Sequence, residues 1–170
     1  MVEQAKYNVL RKINTIEIRR YPRLILARVD GHGDGGFSIL FSFITGNNRQ
    51  KSKVKMTAPV MSEQIAMTAP VMSEAGSLAF IMPEHYSLKT TPEPLDDRVK
   101  IVEVPERVVA ALRFSGRWSD SLFRKKSTEL QNELRKAGIK TAGQVFSMRY
   151  NGPLTPWFLR RNEVAMQVLI

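Results

Sequence analysis

Twice along its length this chain passes through the same order of signals, and that repetition restricts its fold more than any other feature. In the first pass Val9, Ile13, Ile16 and Ile18 are set apart by polar residues, Tyr21-Pro22 interrupts, and a buried run follows over 24–29. The glycine-rich stretch 30–36 breaks regular structure, because glycine adopts positive φ without a steric penalty. Phe37, Leu40, Phe41 and Ile44 then recur at i, i+3, i+4, i+7, one face of a helix that Gly46-Asn47-Asn48 ends. In the second pass 99–104 and 107–114 read as strands, Ser115-Gly116 turns the chain, and Ser119 is placed to cap a helix from 120 to about 137. Phe123, Leu130, Leu134 and Ala137 form its apolar face, and Gly138 closes it. Residues 145–150 and 161–169 read as closing strands, joined through Asn151-Gly152-Pro153 and a Pro156-Trp157-Phe158 corner. Arg28-Val29-Asp30-Gly31 in the first pass corresponds in kind to Arg113-Phe114-Ser115-Gly116 in the second. The expectation is an α+β fold of two pseudo-symmetric strand–helix–strand–strand units, mostly antiparallel, with two main helices packed on the strands.

Composition removes several functional classes. The chain has 170 residues and no cysteine, which excludes a disulfide scaffold, a thiolate zinc site, a cysteine nucleophile and an iron–sulfur cluster. A length of 170 residues predicts one domain over 1–170, large enough to need no covalent staple. No apolar run approaches the ~18 residues of a membrane span, and the start lacks a signal-peptide stretch, so a soluble cytoplasmic protein is expected. Lysine and arginine number 26 against 16 acidic residues, a net charge of +10, which raises nucleic acid as a partner. The basic clusters at Arg11-Lys12, 19–23, 51–55, 124–126, Arg135-Lys136 and Arg160-Arg161 are scattered over strands and both helices. A reading head concentrates charge on one stripe, so these are expected to be solvated faces, with no specific nucleic-acid partner.

Between the two passes lies a duplication. The segment 53–63 recurs as 64–74, each copy carrying Met-Thr-Ala-Pro-Val-Met-Ser-Glu. Two copies of 11 residues are too short for a solenoid. They are expected to form two strands, or one strand and its continuation, with prolines at edges or ends where no ladder N–H is needed. Residues 78–83 read as a further strand and 84–97 as a loop containing Pro92 and Pro94.

Candidate chemistry is sparse. His32 and His85 are the only near-neutral bases, and no HExxH, GxSxG or P-loop is present, so no catalytic or metal-ligating set is expected and the protein is read as a non-enzyme. Met56, Met61, Met67 and Met72 fit either core packing or, functionally, a soft wall for a flat apolar ligand or a second axial iron ligand. The Phe37/Leu40/Phe41/Ile44 face carries the same pair of readings. Lys53, Lys55 and Arg160 are candidates to meet carboxylates of a ligand. In Arg160-Arg161-Asn162-Glu163 alternation sends Arg161 and Glu163 to one face, where the carboxylate either receives a cation or neutralises an arginine; the second is favoured.

Several of these segments together resemble the SOUL haem-binding protein family. The matching pieces are Ile16-Glu17-Ile18-Arg19-Arg20-Tyr21-Pro22, Phe43-Ile44-Thr45-Gly46-Asn47-Asn48, Met56-Thr57-Ala58-Pro59-Val60 or its copy from Met67, Phe114-Ser115-Gly116, and Pro156-Trp157-Phe158-Leu159-Arg160-Arg161-Asn162-Glu163-Val164. They run in family order over nearly the whole chain. The resemblance implies a distorted antiparallel β-barrel, a fold also similar to that of gyrase-inhibitor-like drug sensors. It further implies non-covalent binding of haem or another tetrapyrrole, as a carrier or buffer, in an apolar cleft near the first helix. The residues implied for that cleft are Phe37, Leu40, Phe41, Ile44, Lys53, Lys55, Met56 and Arg160. Where some members carry a proposed axial histidine this chain has Arg20, which stays protonated and cannot ligate iron. Asp34 and Pro156 stand where other members carry basic residues for the propionates. Binding with or without an axial protein ligand is therefore left open, and a cleft for another apolar or cationic small molecule, as in the drug sensors, is the alternative.

Overall fold

The computed structural model describes residues 3–63, 75–152 and 154–170, so the second copy of the duplication, 64–74, lies outside the described residues. In chain order the described elements are β1 (Glu3–Gln4), β2 (Asn8–Ile13), β3 (Ile16–Tyr21), β4 (Leu24–Gly31), α1 (Gly36–Ile44), β5 (Thr57–Glu63), β6 (Ala75–Ile81), β7 (Val99–Val104), β8 (Arg107–Phe114), α2 (Asp120–Lys136), β9 (Lys140–Arg149) and β10 (Asn162–Leu169). Short 3₁₀ turns cover Gly33–Gly35 and Trp157–Leu159. The fold is α+β and mostly antiparallel, with two main helices, as the sequence implies. The chain divides into two compact units, one of Met1–Ala5 with Arg23–Val104, the other of Lys6–Pro22 with Pro105–Ile170.

The first unit has strand order β5-β6-β4-β7, antiparallel throughout, and β1 adds to β5 in parallel. Ile25, Ala27 and Val29 alternate along β4 and meet Leu78 and Phe80 of β6 and Leu40, Phe43 and Ile44 of α1. The helix lies close to the sheet because its first residue is glycine: a Cβ on Gly36 would stand 3.4 Å from Val29 and 3.5 Å from Leu78. Asn48 ends α1 from a fully buried position. Its amide donates to the carbonyls of Phe43 (3.0 Å) and Ser52 (2.8 Å) and accepts from the Ser52 N–H at 2.9 Å. Pro59 sits inside β5 rather than at its end. The ladder runs Thr57↔Ile81 and then Val60↔Phe80, so the register breaks at Ala58-Pro59, where a residue without an N–H is tolerated.

The second unit has order β2-β3-β8-β10-β9, again antiparallel. Ile16, Ile18, Ala110, Leu112, Val164, Met166 and Val168 face α2, which contributes Phe123, Leu130 and Leu134. Ser119 caps α2 as its sequence position predicts, accepting from the Leu122 N–H at 3.1 Å, and Gly138 closes it at φ +70°. Ala137, expected on the apolar face, is instead the exposed C-cap.

The strand–helix–strand–strand repeat is thus present as β4-α1-β5-β6 and β8-α2-β9-β10, each with its strands in the order third-fourth-first. Each set is completed by a strand from the other half of the sequence. β7 directly precedes β8 in the chain but pairs with β4, and β3 directly precedes β4 but pairs with β8.

Candidate functional site

Helix α1 is apolar almost all round, Gly-Phe-Ser-Ile-Leu-Phe-Ser-Phe-Ile, and the sheet decides which side turns inward. The buried stripe is Gly36, Leu40, Phe43 and Ile44. Phe37 and Phe41, expected on the same face as Leu40 and Ile44, are 43 % and 48 % exposed. The two rings stack at 6.1 Å between centroids with 11° between planes, and Phe37 is held edge-on against buried Phe80 at 5.2 Å. The result is a half-exposed aromatic ledge braced against the core. Beside the C-terminal end of α1 the Val54 N–H donates to the Ile44 carbonyl at 2.7 Å. That bond anchors an extended segment in which Val54 is buried and Met56 half-buried while Lys53 and Lys55 are exposed, the alternation of an extended chain. Seven of the eight implied ligand residues therefore belong to the first unit; Arg160 belongs to the second.

The second unit holds a buried ionic cluster. On the sheet face away from α2, Arg19 is 2 % exposed and Glu163 fully buried. They meet as a two-pronged pair, with Nη1 to Oε2 and Nη2 to Oε1 both 2.7 Å. Arg161 donates twice to Oε1, at 3.1 and 2.9 Å, and Tyr150 donates to Oε2 at 3.0 Å. Arg19 also donates to Glu17 at 2.8 Å, while Tyr7 stacks on its guanidinium at 4.2 Å. Burial raises the Glu163 pKa, but the hydrogen bonds and charge of Arg19, followed by Arg161, outweigh it, and the carboxyl ends below its ordinary value. The Tyr150 and Tyr21 hydroxyls are pushed up, in both cases mainly by burial. Both Glu163 oxygens are committed within the protein, so of the two sequence readings the structure selects neutralisation of arginine over capture of a cation. Arg19, expected on a solvated face, is the partner the sequence reading missed. The alternation Glu17/Arg19/Tyr21 against Ile16/Ile18 was the available signal.

A second surface of that unit is concave. An open cleft of about 540 Å³ is lined by Arg117, Trp118, Leu154, Thr155, Pro156, Trp157 and Arg160. Arg160 donates from Nε to the Thr155 carbonyl at 2.9 Å, which places its guanidinium at the cleft wall. Elsewhere, His32 is exposed with Nδ1 2.9 Å from the Asp30 carbonyl oxygen, and His85 is exposed against Tyr86. Arg20 is exposed and 3.7 Å from Glu106. Among the described residues no group of three or more His, Cys, Asp or Glu side chains is placed to hold a metal ion.

The family model described as "SOUL heme-binding protein" matches residues 2–167. This chain belongs to the SOUL haem-binding protein family. Human "Heme-binding protein 2" is 28 % identical to this SOUL chain over 136 residues, covering 75 % of it and 66 % of the human protein, just under two thirds of that protein's length. Among solved structures, a hydrolase from Listeria innocua superposes with a TM-score of 0.63 at 13 % identity, covering 99 % of this chain and 100 % of that one. The C-terminal domain of EcmrR superposes at 0.61 with 10 % identity, over 96 % and 98 % of the two chains. At these identities the likeness is one of fold. Among the described residues no helix of this SOUL chain is long and apolar enough to cross a membrane.

Proposed function

We propose that this chain binds haem or a related planar tetrapyrrole non-covalently on the Phe37–Phe41 ledge of α1, as a carrier or buffer. The observation that carries this reading is the exposed stacked pair itself, in a member of a haem-binding family. A porphyrin presents a flat apolar face and a carboxylate edge. The ledge suits the face, and Lys53 and Lys55, beside the end of the same helix, suit the edge. Leu40 and Ile44 act from behind, fixing the ledge, and Met56 of the extended segment packs on the same core. Removing a few hundred Å² of apolar surface from water at ~25 cal/mol per Å² is worth several kcal/mol before association costs, so no axial bond is required. With Arg20 at the axial position and both histidines on exposed loops, ligand choice rests on shape and the carboxylate edge rather than on iron.

A hemin titration followed at the Soret band tests this. Saturation is expected at one equivalent, and metal-free protoporphyrin should compete. In Phe37→Ala/Phe41→Ala the affinity should fall at least tenfold with the circular dichroism spectrum unchanged. Non-saturating uptake, or an unchanged affinity in that double variant, would overturn the assignment.

A further inference from the structure

The loop joining β9 to β10 exposes more apolar surface than the cleft beneath it uses. Leu154 is 98 % exposed, Trp157 49 %, Phe158 57 % and Leu159 63 %. Phe158 and Leu159 do not line the cleft, so a small molecule lodged there would leave them in water. The tip is ordered by its own bonds. The Gly116 N–H donates to the Trp157 carbonyl at 3.1 Å, Leu159 donates to Pro156 at 2.9 Å, and the Trp157 and Phe158 rings pack edge to face at 5.5 Å. An exposed, preorganised group of tryptophan, phenylalanine and leucine suits the boundary between lipid headgroups and acyl chains, where an amphipathic indole is at home.

The charge around the tip is one-sided. Residues 113–119 and 149–162, which build this end of the unit, contain five arginines and no aspartate or glutamate, and Asp120 at the start of α2 is the next acid along the chain. One of the five, Arg161, is taken up by Glu163; Arg117 and Arg160 line the same cleft as Leu154 and Trp157 of the apolar tip. Cations a short distance behind inserted apolar side chains lie at the level of headgroup phosphates.

We propose that the 154–159 loop is a docking surface for an anionic lipid bilayer. Leu154, Trp157, Phe158 and Leu159 enter the interface, and Arg117 and Arg160 meet the lipid phosphates. This gives part of the +10 charge a location and a purpose, and it is independent of the haem reading, which rests on the first unit.

Flotation of the full chain with vesicles tests it, in low salt and without hemin. Binding is expected to vesicles of equal parts phosphatidylcholine and phosphatidylglycerol, with a blue shift in tryptophan emission, and to be much weaker to phosphatidylcholine alone. Trp157→Ser/Phe158→Ser should lower partitioning at least tenfold without altering net charge or the circular dichroism spectrum. Arg117→Gln should lower it about fivefold on anionic vesicles. Val9→Ser/Leu10→Ser, at comparably exposed apolar positions on β2, should leave it unchanged. No flotation, flotation that survives Trp157→Ser/Phe158→Ser, or an equal loss in the β2 variant would each overturn the proposal. A hemin titration that stays intact alongside any of these failures leaves the haem reading standing.

Discussion

The two units share a topology, and they differ in what they place at one pair of matching sites. In the first, Arg28 of β4 stands opposite Ala79 of β6, and Leu24 opposite Val104 of β7. In the second, Arg113 of β8 stands opposite Glu163 of β10, and Val109 opposite Arg19 of β3. By register, Ala79 and Val104 occupy the places of Glu163 and Arg19. The same scaffold therefore accepts either small apolar residues or a fully desolvated ion pair at those sites. The apolar solution needs only packing. The ionic one carries a desolvation cost that hydrogen bonds donated by Arg161 and Tyr150 to Glu163, and by Arg19 to the Tyr21 hydroxyl, must offset, so its net contribution to stability is small. Its value is in register. A one-residue slip of β10 would turn Glu163 towards Phe123, Leu130 and Leu134 of α2, leaving a carboxylate without a partner in an apolar core.

Substitution at the two matching sites should separate them most strongly. Arg19→Met strands the buried Glu163 charge against Arg161 alone and should cost ~3–5 kcal/mol in chemical denaturation. Val104→Ala at the corresponding place should cost less than about 1.5 kcal/mol, the full transfer value of two methyl-sized groups, because Val104 is only half-buried. Equal losses would mean that burial of the pair is not what distinguishes the units.

The pH dependence should sharpen the contrast. The Glu163 pKa lies below its unfolded value, so its stabilisation is present above the ordinary carboxylate range and is lost as pH falls through the folded pKa. The Tyr150 and Tyr21 pKa values are raised, so their contribution is full below about pH 10 and is lost as pH rises beyond it. Asp96 in the first unit also titrates low, at about 2, held down by its hydrogen bonds with Arg98. Comparing acid denaturation of Glu163→Gln with the parent isolates the ionic cluster. The variant should be less stable near neutrality and lose less on acidification, and parallel curves would break the argument.

The smallest expected difference is at the helix starts. Ser119→Ala removes the only side-chain cap on α2 and should cost about 1 kcal/mol in the same denaturation assay. Gly35, at the start of α1, supplies no side-chain cap, so the first helix has no equivalent N-terminal bond to lose and is held at its other end by Asn48.

Much of this was legible beforehand. β7 and β8 fall at their sequence-read limits, 99–104 and 107–114, because alternation and the Pro105 break between them are local signals. The start of α2 at Asp120 was legible for the same reason. The orientation of α1 was not. With Phe37, Ile39, Leu40, Phe41, Phe43 and Ile44 in nine residues, more than one stripe is apolar, and periodicity does not choose between them. Contact of Gly36 with Val29 and Leu78 chooses, and it leaves Phe37 and Phe41 in solvent. Arg19 was hidden in a run of basic residues, where only the alternation with Ile16 and Ile18 sets it apart.

The sequence by itself determined the elements, the repeated strand–helix–strand–strand order and the family, because propensity, capping and motif spacing act over short stretches of chain. The tertiary structure decided which strand completes each repeat, with β3 and β7 crossing to the opposite halves, and which side of α1 stays wet. It also decided which arginine neutralises Glu163. Those outcomes depend on partners far apart in sequence, 144 residues in the case of Arg19 and Glu163, and no local pattern encodes a pairing at that distance.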